Sequence, residues 1–150
     1  HHSKKFIDLM LQTDSSALES ISVLEDVFPT SEQALWALGE IVQWNPYLQS
    51  SISELDLTGT QMLEVPKGIT HLHNLSHLNL SHNHLGKLPE WLMDLPSLKV
   101  LIVSDNPISV LPTFFEEMTH LEEIHLDGTQ IDIENRLWLE ALMSHCELYF

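Results

Sequence analysis

Apolar residues recur along most of this chain in a fixed register. Leu55, Leu78, Leu101 and Ile124 stand 23 residues apart. Leu57, Leu80, Val103 and Leu126 follow two places on, and Ile52, Leu75, Leu98 and Leu121 come three places before. Pro66, Pro89 and Pro112 keep the same interval further along each unit. An apolar-x-apolar step puts two side chains on one face of a short strand and the residue between them on the other. The pattern predicts strands at Glu54–Thr58, His77–Ser81, Val100–Ser104 and Glu123–Asp127. One such strand cannot bury its apolar face alone, whereas three or more stacked copies share a continuous core. Residues 3–48 leave this register and read as helices. Ser16 with Glu19 and Thr30 with Gln33 form capping-box signatures. Ala17, Ile21, Leu24 and Phe28 lie at helical spacing, as do Ala34, Leu38, Ile41 and Val42. Pro29 and Pro46 end or separate these helices. Near the other end, Leu137, Trp138, Ala141 and Leu142 suggest an amphipathic helix. Leu148 and Phe150 then repeat the alternation 24 residues after Ile124 and Leu126.

The clearest unit runs Leu75-Ser-His-Leu78-Asn-Leu80-Ser-His-Asn83-His-Leu85-Gly-Lys-Leu88-Pro89. It resembles the leucine-rich-repeat family in its LP-type, 23-residue form, as found in bacterial members that include effectors delivered into host cells. The resemblance implies an α/β solenoid with a parallel sheet on its concave side. Segments after the prolines, Glu90–Leu95 and Thr113–Met118, return along the convex side as short helical or 3₁₀ pieces. Residues 3–48 would be an N-terminal helical cap. Residues 49–150 would be the solenoid, with four regular repeats, a degenerate fifth and a helix-plus-strand cap. The helices at the start also admit reading as a small module with a partner of its own. The cap is preferred because a terminal repeat must be covered, with Trp36, Trp44 and Tyr47 packed at the junction. Asn83 and Asn106 occupy the family's asparagine position, where an inward turn buries backbone groups that an amide can satisfy as donor and acceptor. Thr60 and Thr129 depart from that pattern in the outer repeats.

Charge narrows the partners. Six basic residues against 22 acidic ones give a net charge of −16. Nucleic-acid binding draws its affinity from Lys and Arg on phosphates, so that class is excluded. Anionic membrane surfaces are disfavoured by the same sign, and no apolar run reaches the roughly 20 residues that span a bilayer. A protein partner with a basic surface is attracted, and salt weakens the attraction. The single cysteine, Cys146, cannot form an internal disulfide, which points to a reducing compartment. The N-terminal stretch lacks the form of a signal peptide. A monomer in the cytoplasm, or secreted by a bacterium into a host cell, is the expectation.

No catalytic constellation emerges. His71, His73, His77, His82, His84, His120, His125 and His145 are numerous, but their spacing does not converge three or four ligands on a metal. Glu54 neighbours His77 across the sheet and could pair with it. Cys146 beside His145 reads as a buried structural cysteine rather than a nucleophile. No nucleophile elbow or glycine-rich phosphate loop is present. Neither cofactor, metal nor enzymatic activity is expected.

In leucine-rich repeats the outward strand residues carry function, so the resemblance points to three columns. Glu54, His77, Val100 and Glu123 form the first. Asp56, Asn79, Ile102 and His125 form the second, and Thr58, Ser81, Ser104 and Asp127 the third. None holds Lys or Arg, and Val100 and Ile102 make one apolar spot on the third strand. An apolar centre with a polar rim is a common interface design, although β-branched residues also simply suit strands. The leading reading is a protein-interaction module. The others are the substrate-recognition part of a larger enzyme, such as a ubiquitin ligase, and an intracellular regulator of a phosphatase or GTPase.

Overall fold

The computed structural model describes Phe28 and residues 30–150. The expected helix around Ala17, Ile21 and Leu24, with its Ser16 capping box, lies outside the described residues. Among the described residues five strands form one parallel sheet in chain order: β1 Glu54–Asp56, β2 His77–Asn79, β3 Val100–Ile102, β4 Glu123–His125 and β5 Glu147–Tyr149. The register is the one the repeat requires, with Leu55, Leu78, Leu101, Ile124 and Leu148 side by side. The degenerate fifth coil is therefore a true member of the sheet. Each sequential strand pairs with its neighbour because the connecting coil is a single turn of the solenoid.

The strands are shorter than the alternation predicted. Three residues in each keep regular pairing, although ladder bonds continue from Leu57 N to Asn79 O and from Leu80 N to Ile102 O. The physical reason is local. Asp56 Oδ1 accepts from Thr58 N, and Asn79 Oδ1 accepts from Ser81 N. Such side-chain turns compete with an extended strand. Just beyond them Gly59, His82, Asp105 and Gly128 all have φ between 55° and 72°, at the repeat interval. This left-handed step bends every coil inward.

The buried asparagines follow that step. Asn83 Oδ1 accepts from Thr60 N and Met62 N in the preceding coil, and its amide nitrogen lies 2.9–3.0 Å from the carbonyls of Leu57, Leu80 and Ser81. Asn106 repeats the arrangement, with Leu85 N as donor and the carbonyls of Leu80, Val103 and Ser104 as acceptors. Thr60 and Thr129 close their own turns through hydroxyl bonds to Leu57 O and Leu126 O, and the Thr60 hydroxyl also donates to Asn83 Oδ1 in the next coil.

Opposite the sheet the chain returns through 3₁₀ turns at Lys67–His71, Glu90–Asp94 and Thr113–Glu117. Each follows one of the repeated prolines. Ile69, Leu92 and Phe115 point inward from these turns and join the strand leucines in one core.

Helix α1 (Ser31–Trp44) and helix α2 (Pro46–Ser51) precede β1. Thr30 caps α1 through Gln33 N, and Asn45 caps α2 through Leu48 N, with Pro46 at its first position. Ala34, Leu35, Ala37, Leu38, Ile41 and Val42 are buried. A fully buried Leu or Ile stabilises by about 1.5–3 kcal/mol over an exposed one. That face lies on the first 3₁₀ turn. Gly39 and Gly68 meet there backbone to backbone, and a Cβ at Gly68 would collide with Gly39. One expectation fails at this end: Trp36, Trp44 and Tyr47 are 56–63% exposed rather than packed at the junction. The face of α1 that carries Leu35 and Leu38 makes the contact, and the tryptophans project elsewhere.

Helix α3 (Ile133–Leu142) fills the last coil. Asp132 caps it by accepting from Asn135 N, and this bond holds the Asp132 carboxyl below its ordinary value. Its inward stripe is Trp138, Leu139, Leu142 and Met143, while Leu137 and Ala141 face outward. The stripe expected from Leu137 and Ala141 is thus turned by about one residue. Among the described residues no helix is long and apolar enough to cross a membrane.

Candidate interaction face

The sheet presents two columns of outward side chains. Glu54, His77, Val100, Glu123 and Glu147 make the first. Asp56, Asn79, Ile102, His125 and Tyr149 make the second. Glu147 and Tyr149 were missed from the sequence. The 24-residue step from Ile124 to Leu148 was the available signal, since the residues flanking Leu148 must continue both columns.

The third column does not form a free surface. Ser81 and Ser104 are 6% and 8% exposed, inside the inward turn. Ser104 Oγ donates to Asp127 Oδ1, and Thr58 Oγ1 donates to Asp56 Oδ1. Thr58 and Asp127 stay exposed at its two ends. The left-handed residue after each strand tilts this position out of the concave plane.

Along the first two columns, burial rises from β1 to β3 and β4 and falls again at β5, where Glu147 and Tyr149 are exposed. Glu54, Asp56 and His77 are exposed, whereas Asn79, Val100, Ile102, Glu123 and His125 are half-buried. The pairing expected of Glu54 with His77 gives way to a contact of His77 Nδ1 with Ser76 Oγ at 2.9 Å. A different cluster forms on β4 and β5. His125 Nε2 lies 2.6 Å from Glu123 Oε1. The His125 ring stacks on Tyr149, centroids 4.4 Å apart and planes 11° from parallel. Tyr149 OH donates to Glu147 Oε2 at 2.9 Å. This hydrogen bond and the charge of Glu147 raise the phenol above its ordinary value. Two carboxylates on adjacent strands are each held by a ring two residues on. Ile102 pairs with His125 across the sheet and Val100 with Glu123. Val100, Ile102 and the two rings therefore make one apolar, aromatic patch. Glu123, Asp127 and Glu147 border it, and Glu54 and Asp56 lie two strands away on β1.

This arrangement can bind but contains no nucleophile poised for chemistry. Cys146, just before the last strand, is half-buried, and burial first, then the charges of Glu123, Glu147 and Glu122, push its thiol up to about 11. A protonated thiol is a poor nucleophile and a poor metal ligand. Among the described residues no three His, Cys, Asp or Glu side chains group closely enough to hold a metal.

Comparison with known proteins agrees with this architecture. Residues 50–108 match the family described as leucine rich repeat. Among solved structures the chain is similar to a leucine-rich-repeat protein of Leptospira interrogans. The two are 31% identical with a TM-score of 0.63, over 69% of this chain and 26% of that one. The chain thus spans about a quarter of that protein's length. A comparison with curated proteins gives no match.

Proposed function

We propose that this chain, a leucine-rich-repeat protein, binds a protein partner with a basic surface through the C-terminal half of its concave face. The observation that carries the reading is the patch of Val100, Ile102, His125 and Tyr149 on a face with five carboxylates. Apolar and aromatic groups at the centre supply desolvation energy, and the rim selects the partner by charge. Lysine or arginine side chains would meet Glu54 and Asp56 on β1 and Glu123, Asp127 and Glu147 at the other end. Thr58 and Asn79 add polar rim contacts, and His77 adds a donor. Ser81 and Ser104 act in this reading as supports of the turn. In this reading residues 3–48 serve as the cap and residues 49–150 as the solenoid. The role is binding without catalysis, and the likeness to a bacterial protein supports a bacterial setting, including delivery into a host cell.

The test is an affinity purification from a proteome with the wild-type chain and the double variant Val100→Ser/Ile102→Ser. Both side chains are half-buried, so the variant should melt within a few degrees of wild type. The variant is expected to lose the partner. Retention of the same partner by a folded variant would exclude the patch as the binding centre.

A further inference from the structure

The sheet has an open edge at β5. Leu126 N donates to Tyr149 O and Glu147 N donates to Glu122 O, so Glu147 and Tyr149 turn their backbone groups toward β4. Backbone groups alternate in direction along a strand. Leu148 therefore turns its N–H and C=O away from β4, with the Cys146 carbonyl and the Phe150 N–H on the same side. In an earlier coil the matching groups are bonded to the next strand. The Ser76 carbonyl accepts from Lys99 N and Val100 N, and Leu80 N donates to Ile102 O. Beyond β5 no strand follows among the described residues.

The core is open at the same place. Leu55, Leu78, Leu101 and Ile124 are at most 2% exposed, whereas Leu148 in the same register is only half-buried. Trp138, Leu142 and Phe150 are half-buried beside it. Solenoid ends usually carry a polar cap, and free sheet edges are usually blunted by lysine, proline or a bulge. Residues 146–150 contain neither Lys nor Pro, and β5 pairs with β4 without a bulge.

The sequence of β5 is complementary to itself. Two copies paired antiparallel about an axis at Leu148 would exchange N–H···O bonds between the two leucines. Each Phe150 N–H would reach the Cys146 carbonyl of the other copy. Both Leu148 side chains lie on the core side, so each copy closes the apolar end of the other. Cys146 stands opposite Phe150, a favourable contact of sulfur with a ring. On the concave side Glu147 stands opposite Tyr149, and no carboxylate faces another. These two groups already bond within one strand, where Tyr149 OH donates to Glu147 Oε2 at 2.9 Å. Glu147 Oε1 has no partner among the described residues. A parallel pair in register would instead set Glu147 against Glu147. Charge on α3 is balanced near this end, since Arg136 pairs with Glu140 and lies over the Phe150 ring.

We propose that a second copy of this chain covers the edge, β5 pairing antiparallel with β5, in place of the monomer expected from the sequence. The interface is isologous and closes on itself. The two five-stranded sheets run on as one, and each concave patch gains Glu147 and Tyr149 of the second copy at its border.

Sedimentation equilibrium of the full chain, with no other protein present, tests this. The wild type should approach twice the monomer mass as concentration rises, and stop there. Each copy carries a charge of −16, so the dimer should tighten severalfold from about 50 to about 500 mM salt as repulsion is screened. Tyr149→Glu sets a carboxylate opposite Glu147 on both sides of the axis and should weaken the dimer at least about tenfold. Tyr149→Lys sets an ammonium there and should strengthen it. Tyr149 is 43% exposed, so both variants should keep their fold, which circular dichroism checks. Glu54→Lys on β1 adds positive charge far from the edge and should not reproduce the gain of Tyr149→Lys. Val100→Ser/Ile102→Ser should dimerise like the wild type, so loss of the basic partner and loss of the dimer are separate results. A wild-type chain that stays monomeric at its highest soluble concentration would overturn the proposal, as would equal dimerisation of the two Tyr149 variants. Growth past the dimer would also overturn it, since open-ended growth requires head-to-tail stacking.

Discussion

At the scale of single residues, the two buried asparagines do unequal work. Asn83 receives two backbone N–H groups of the preceding coil and reaches three carbonyls. Asn106 receives one such N–H and also reaches three carbonyls. A buried backbone group left without a partner costs about 1–3 kcal/mol. Asn83→Ala should therefore destabilise by at least about 3 kcal/mol, and Asn106→Ala by less. Urea unfolding of the two variants measures the difference, and an equal or reversed order would show that the Oδ1 bonds are not what matters. Cys146 makes a second residue-scale prediction. Its thiol is pushed from 9.0 to about 11, two pH units, so near neutral pH the thiolate should be about 100-fold scarcer than in an exposed cysteine. Iodoacetamide labelling should accelerate by up to that factor when the protein is unfolded in urea. Equal rates in the folded and unfolded states would contradict the desolvation. The folded thiol titrates later than the unfolded one. Its contribution is intact below about pH 9 and is lost as pH rises toward 11.

Between elements, the closest approach is that of α1 on the first 3₁₀ turn, and two glycines permit it. A Cβ on Gly68 would strike the Gly39 backbone, while a Cβ on Gly39 meets only Pro66 Cβ at 3.5 Å, an ordinary contact. Gly39 sits inside a helix, where alanine is better by about 1 kcal/mol. Gly39→Ala should thus leave stability unchanged or raise it by up to that amount, whereas Gly68→Ala should lower it by about 2 kcal/mol or more. Thermal melts of the pair decide the matter, and similar losses for both would refute the asymmetry. This contact also shows where the sequence stops being legible. The repeat is legible because each coil restates the same burial pattern, so one strand position predicts the others, down to Leu148. The meeting of Gly39 with Gly68 is a single event between unlike elements and leaves no periodic trace. The outward turn of Trp36 and Trp44 is hidden for the same reason, since a tryptophan suits either a junction or a surface. The stripe of α3 was misplaced because Leu137 and Leu139 fit helical spacing equally, and only the last coil's position selects Leu139. The left-handed step was within reach, because Gly59 and Gly128 stand three repeats apart, but His82 and Asp105 occupy it without glycine. As for the interaction face, the first two columns follow from alternation alone. Its edges do not, because the side-chain turns at Asp56 and Asn79 decide where the strand ends.

For the molecule as a whole, charge and shape act together. The net charge of −16 creates a long-range field that the concave face concentrates, since its columns hold five carboxylates and no Lys or Arg. Opposite charge accelerates encounter and salt screens it over a Debye length of about 8 Å at physiological ionic strength. The association rate of the basic partner with the concave patch should fall roughly tenfold or more between 50 and 500 mM salt, with a smaller change in dissociation. Stopped-flow traces across that salt range measure the change. A rate that does not move with salt would mean that the carboxylates of the concave face do not steer the partner.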